Sequence, residues 1–273
     1  MNKKEVMKHI VSFDKSKIFY RIKKNNKTKT FTVFLHGLSC NNSMFRREEE
    51  HLIEKNYNTI NIDVRGHGFS QNKIKKKIFL KDFCKDIELI LKKEKVNKIN
   101  LVGYSMGGFI ALKFYSLYPK YVKKMILIDS SYAVNPKTIR PYFFFLVFPA
   151  CCLIFLKANL FDHVPQNDLD FSENVIKDIF VVNMGAVSTV FRHVWETSKA
   201  IIRENLKPVL KKIKIPVLII ENQKDDVFSI LSYYTLEKHI KKSELKLERG
   251  NHNFIIIDPD TISKDILEFL KKK

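Results

Sequence analysis

A serine bracketed by glycines, Gly103-Tyr104-Ser105-Met106-Gly107-Gly108, lies between the apolar run Ile99 to Val102 and a helix-like segment, Phe109 to Leu117. A strand that turns sharply into a helix at such a serine is a nucleophile elbow: the hydroxyl is exposed on a strained turn, and side chains in place of the flanking glycines would meet the neighbouring strand and helix. A serine hydroxyl is a weak nucleophile at neutral pH, so it needs a base to take its proton and a carboxylate to hold that base in the right tautomer. Of eight histidines, His252 is the best placed, in Gly250-Asn251-His252 after the last strand-like run and before the helical stretch Thr261 to Leu270. For the acid, Asp225 and its neighbour Asp226 both follow the strand run that ends at Ile220, and Asp129 closes an earlier strand run. Asp129 is read first as a group that caps or orients its loop. A tetrahedral intermediate also needs backbone donors for its oxyanion. The amide of Met106 is one, and that of Leu38, beside Gly37 where the backbone can approach closely, is the other.

These groups need a scaffold that brings distant segments to one edge. Val6 to Phe13 and Lys17 to Ile22 alternate like half-buried strands around the turn Asp14-Lys15-Ser16, which predicts an opening hairpin. Phe31 to Leu35, Thr59 to Val64, Ile99 to Val102, Tyr121 to Ile128, Lys214 to Ile220 and Leu245 to Glu248 read as strands, most of them buried on both faces. Ser43 to Lys55, Leu80 to Lys92 and Thr261 to Leu270 carry helical spacing. Alternating strands and helices predict an α/β fold with a mostly parallel sheet wrapped on both faces, its chemistry at the carboxyl ends of the strands. Residues 1–129 and 211–273 form the expected core. The alternation breaks over residues 130–210, which hold the helix-like stretches Asp168 to Met184 and Thr189 to Leu206 and read as a helical cap. His36 and His67 are expected to tether loops rather than to move protons.

Taken together, His36-Gly37, Asp63-Val64-Arg65-Gly66-His67-Gly68-Phe69-Ser70, Gly103 to Gly108, Asp225 and His252 resemble the α/β-hydrolase superfamily over nearly the whole chain. The similarity is to the branch of small esterases, monoacylglycerol-lipase-like enzymes and carbon–carbon bond hydrolases. It implies the chain order nucleophile, acid, histidine, and favours Asp225 over Asp226. One departure is Asn222, where that branch often has glycine. The resemblance implies a serine hydrolase that needs no cofactor and no metal. Thioesterase, lactonase, carbon–carbon hydrolase and acyltransferase chemistry would use the same groups, and a non-catalytic binding protein on the scaffold is the reading from another class.

Composition bounds the rest. At 273 residues and 45% hydrophobic content, the chain can bury a large single core. A net charge of +20 raises nucleic acid or an anionic membrane as partner. The lysines are scattered through nearly every segment, which fits a solvated lysine-rich surface, and no nucleic-acid motif accompanies them. Cys40, Cys84, Cys151 and Cys152 have no metal-site spacing and suit reduced thiols, and the first residues lack the apolar core of a signal peptide, so a cytoplasmic location is expected. The apolar stretch Pro141 to Phe161 is broken by Pro149 and Lys157, against a membrane span of about 20 residues. It is expected either to pack on the core or to form a lid, with Phe143, Phe144 and Phe148 contacting an apolar acyl group. A small-molecule ester, including a lipid ester met at an anionic membrane surface, is the expected substrate class.

Overall fold

The computed structural model describes residues 4–25, 28–70, 77–134 and 191–272. Its eight-stranded sheet has the order β1-β2-β4-β3-β5-β6-β7-β8. The strands are β1 (Lys4–Val11), β2 (Lys17–Lys24), β3 (Phe31–Leu35), β4 (Asn58–Ile62), β5 (Ile99–Tyr104), β6 (Val122–Ile128), β7 (Val217–Asn222) and β8 (Ser243–Glu248). Only β2 runs against its neighbours; every pair from β4 to β8 is parallel. The described helices are α1 (Arg46–Glu54), α2 (Leu80–Lys93), α3 (Met106–Leu117), α4 (Phe191–Ile202), α5 (Lys207–Leu210), α6 (Ile230–His239), α7 (Phe254–Ile257) and α8 (Pro259–Lys271).

The two-residue period of a strand explains the layering. Val33, Leu35 and Leu101 point to one face, where they pack with Phe83 and Ile87 of α2 and Phe109, Ile110 and Phe114 of α3. Phe34, Val102, Ile126, Leu218 and Ile220 point to the other, against Leu52 of α1 and Ile262 and Ile266 of α8. Both faces are covered, so the central strands read as unbroken apolar runs. The α/β architecture expected from the sequence is the one found.

Several element boundaries differ from expectation, each for a local reason. The strand expected over Thr59 to Val64 leaves the ladder at Ile62, because the Asp63 carboxylate turns to accept from Asn42 N (2.6 Å), Asn42 Nδ2 (2.8 Å) and Phe69 N (3.0 Å). The strand expected from Lys214 begins at Val217, just after Pro216, which has no N–H to donate to a ladder. Helix α3 starts at Met106, immediately after the serine, rather than at Phe109. The helix expected from Ser43 opens as a 3-10 turn over Asn42–Phe45 before α1. Helix α6 was not expected at all. Of the segment expected to form a cap, residues 135–190 lie outside the described residues, and with them Phe143, Phe144, Phe148, Cys151, Cys152 and the stretch Asp168 to Met184. The two ends of that segment are joined to each other by the Ala133–Asn205 bridge and by the Leu206 N–H to Tyr132 carbonyl bond of 2.8 Å. Among the described residues, Cys40 and Cys84 are buried free thiols.

Candidate active site

Ser105 sits between β5 and α3 with φ +50° and ψ −114°, a region that costs a non-glycine residue strain. Its surroundings over-determine that turn. The Ser105 N–H donates to Ile128 O (2.9 Å) on β6, and its carbonyl accepts from Gly108 N (3.0 Å) and Ser130 Oγ (2.8 Å). A Cβ on Gly107 would collide with the Leu35 carbonyl oxygen at the end of β3. The elbow is thus wedged against both neighbouring strands, and any side chain at that position would force it out.

The loop after β8 brings His252 to the serine, with Nε2 3.0 Å from Ser105 Oγ. Its imidazole lies between the rings of Tyr104 and Phe228, at centroid distances of 5.3 and 5.6 Å, and its carbonyl accepts from the Tyr104 hydroxyl at 2.7 Å. On the far side of the ring, Nδ1 is 2.8 Å from Asp225 Oδ2. The other Asp225 oxygen accepts from Val227 N (2.7 Å) and Phe228 N (2.9 Å), and Oδ2 also accepts from the Tyr233 hydroxyl (2.5 Å). Burial works to raise the Asp225 pKa. The contact with His252, the Tyr233 hydroxyl and the backbone donor of Phe228 outweigh it and hold the carboxyl below its usual range. An ionised carboxylate only accepts, so the proton of the neutral imidazole sits on Nδ1 and Nε2 is left as an acceptor for the serine hydroxyl.

Asp226 is exposed, while Asp225 is turned inward onto His252. Asp129 is fully buried behind them and accepts from Asn222 N (3.0 Å) and from Asn222 Nδ2 at both oxygens (2.9 and 2.8 Å). Asp129, Glu221 and Asp225 present carboxylate oxygens within 4.8 Å of one another. Burial pushes Asp129 up to about 7, helped by the charge of Asp225 and opposed by His252 and Asn222. Burial and the charge of Asp129 push Glu221 up as well. Asp225 is engaged by His252, Asp129 by Asn222, and Glu221 Oε1 by the Ser130 N–H at 3.2 Å, so each of the three carboxylates already has a donor.

Beside the elbow runs the loop after β3. A Cβ on Gly37 would lie 2.7 Å from Tyr104 Cε1 and 3.5 Å from Ser105 Cβ, so the backbone before Leu38 passes directly against the serine. Met106 opens α3, where helix N–H groups have no partner within the helix. The loop is tethered at both ends: His36 Nε2 accepts from Val64 N (3.1 Å) while Nδ1 donates to Gly37 O (2.8 Å), and Asn42 is held by Asp63. His67 Nδ1 donates to Arg65 O (3.2 Å). Burial depresses both imidazoles, His36 to about 4 and His67 to about 3, so they are neutral tethers at physiological pH. Sequence reasoning missed Tyr104, Tyr233, Phe228 and Ser130 around Ser105, His252 and Asp225. Tyr233 lies on α6, whose apolar residues fall on both faces, so no helical period in the sequence points to it.

The comparisons agree with this fold. A family model described as alpha/beta hydrolase fold matches residues 33–147. A Haemophilus influenzae protein named "Putative esterase/lipase" is 32% identical over 41% of this chain and 38% of its own length. A Mycoplasma genitalium protein, "Putative esterase/lipase 2", is 28% identical over 44% of this chain and 47% of its own. The match therefore spans less than half the length of these curated relatives. Over the whole chain, the structure of an esterase from Exiguobacterium antarcticum superimposes with a TM-score of 0.81 at 21% identity, covering 98% of this chain and 100% of that one. With an eight-stranded, mostly parallel sheet of this order and a sharp serine turn between β5 and α3, the chain has the α/β-hydrolase fold.

Proposed function

We propose that the chain is a serine hydrolase that cleaves carboxylic esters through an acyl-enzyme. The observation that carries this reading is His252 bridging Ser105 Oγ at 3.0 Å and Asp225 at 2.8 Å. Ser105 Oγ attacks the ester carbonyl carbon as its proton passes to His252 Nε2. The amides of Met106 and Leu38 stabilise the oxyanion, and His252 returns the proton to the departing alcohol. Water, deprotonated by the same nitrogen, then attacks the acyl-enzyme and releases the acid. Asp225 keeps the imidazole in the Nδ1–H tautomer and stabilises its charged form.

The proposed acyl group is apolar, with Phe143, Phe144 and Phe148 as its contacts. Support comes from the apolar stretch Pro141 to Phe161 and, for lipid esters at an anionic membrane, from the +20 charge. Among the described residues no helix is long and apolar enough to cross a membrane. Labelling by a serine-directed fluorophosphonate tests the chemistry. Wild type should label and Ser105→Ala should not, and equal labelling of the two would end the reading. A series of nitrophenyl esters of rising chain length tests the acyl preference, which a strict preference for acetyl would contradict.

A further inference from the structure

Asn222 occupies the last position of β7 and is buried, with contacts to three segments at once. Its side-chain amide donates to both oxygens of Asp129, just past β6, and its backbone N–H donates to the same carboxylate. Its carbonyl accepts from Asp225 N (3.1 Å), which closes the turn that presents Asp225. Its Oδ1 lies where a Cβ on Gly250 would come within 2.7 Å, so the loop leading to His252 packs directly on it. Two further backbone bonds join the same loops, Gln223 N to Glu248 O and Lys224 N to Gly250 O, each 3.0 Å.

We infer that Asn222, held by Asp129, is a positioning residue that sets the Asp225 turn against the His252 loop. The inference rests on the reading of Ser105, His252 and Asp225 as a hydrolytic triad. A glycine at this position would leave the backbone bonds of the turn in place. It would remove two charge-assisted donors from Asp129 and open a gap between the turn and Gly250. The Asp129 carboxylate, beside Glu221 and Asp225, would then be buried with one donor instead of three. Both changes let the turn shift relative to the imidazole, and a displacement of about 1 Å in a catalytic group can cost on the order of 10²-fold in rate.

The test uses the full chain with Asn222→Gly, Asp129→Asn and the double variant, read by two methods. The first is the rate at which Ser105 is labelled by a fluorophosphonate probe. Each single variant is expected to label about 10-fold more slowly or worse. The double variant should fall little further than the worse single, because both act through one contact. The second is the downfield proton NMR signal of the His252 Nδ1–H, which should shift or vanish in Asn222→Gly. Asp129→Asn carries the same test if Asn222→Gly does not fold. Labelling within about twofold of wild type with an unmoved Nδ1–H signal overturns the inference. Absence of labelling in wild type would instead refute the hydrolytic reading, and the NMR comparison would still decide whether Asn222 positions the pair.

Discussion

The sharpest test separates two adjacent aspartates by exchanging each for asparagine. In Asp225→Asn the amide can fit only one way round. Its oxygen must take the place that accepts from Val227 N (2.7 Å) and Phe228 N (2.9 Å), since an NH₂ there would face two donors. The NH₂ group then faces His252 Nδ1, 2.8 Å from the present Oδ2, and donates to it. That forces the imidazole proton onto Nε2, the nitrogen 3.0 Å from Ser105 Oγ, where it can no longer accept the serine proton. The wrong tautomer together with loss of the countercharge is worth about 10⁴-fold in kcat, or roughly 5.5 kcal/mol of transition-state stabilisation. Asp226→Asn changes an exposed carboxylate and should leave kcat within about twofold. The assay is steady-state hydrolysis of a nitrophenyl ester, with near-ultraviolet circular dichroism to show that both variants fold. Comparable losses in the two variants, or a larger loss in Asp226→Asn, would refute the argument from hydrogen-bond direction.

Tyr233→Phe removes the 2.5 Å donor from the Asp225 carboxylate; with hydrogen bonds to charged groups worth about 1.5–3 kcal/mol, kcat should fall by on the order of 10-fold with KM little changed. An unaltered kcat would show that the Val227 and Phe228 amides suffice to hold Asp225. Gly107→Ala places a Cβ on the Leu35 carbonyl oxygen and should lower the melting temperature sharply or abolish soluble expression, whereas a wild-type melting curve would mean that the elbow is less tightly wedged. Glu48 on α1 is fully buried, and burial pushes its pKa from 4.5 up to about 8, opposed by its own backbone N–H and the charge of Arg47, with the charges of Asp260 and Glu50 adding to it. Between those pH values the unfolded chain loses this proton and the folded chain keeps it, so stability falls as pH rises, by at most about 1.4 kcal/mol per unit, and levels off above the upper value. Urea unfolding at pH 5 and pH 8 should therefore show Glu48→Gln gaining on wild type at the higher pH, and parallel behaviour would discount the buried charge.

What the sequence determined by itself is what depends on local chemistry and period. Unbroken apolar runs such as Phe31 to Leu35 can be satisfied only in strands covered on both faces, which forces the layered α/β architecture. The glycines around Ser105 mark an elbow because no side chain fits there, and this too is local. Strand ends at Ile62 and Val217 were less legible, being set by where Asp63 finds donors and where Pro216 lacks one. Helix α6 left no usable period: Tyr233 and Leu236 are buried while Ile230, Leu231 and Tyr234 are exposed, so apolar residues lie on both faces. Asp225 and Asp226 are chemically identical neighbours, and only the folded turn decides which faces His252, through amide donors on the same turn and a tyrosine from the helix that follows. The contact of Asn222 with Asp129 and Gly250 is likewise invisible in the chain, because it joins the ends of three strands separated by up to 121 positions (250 − 129) that only sheet closure brings together.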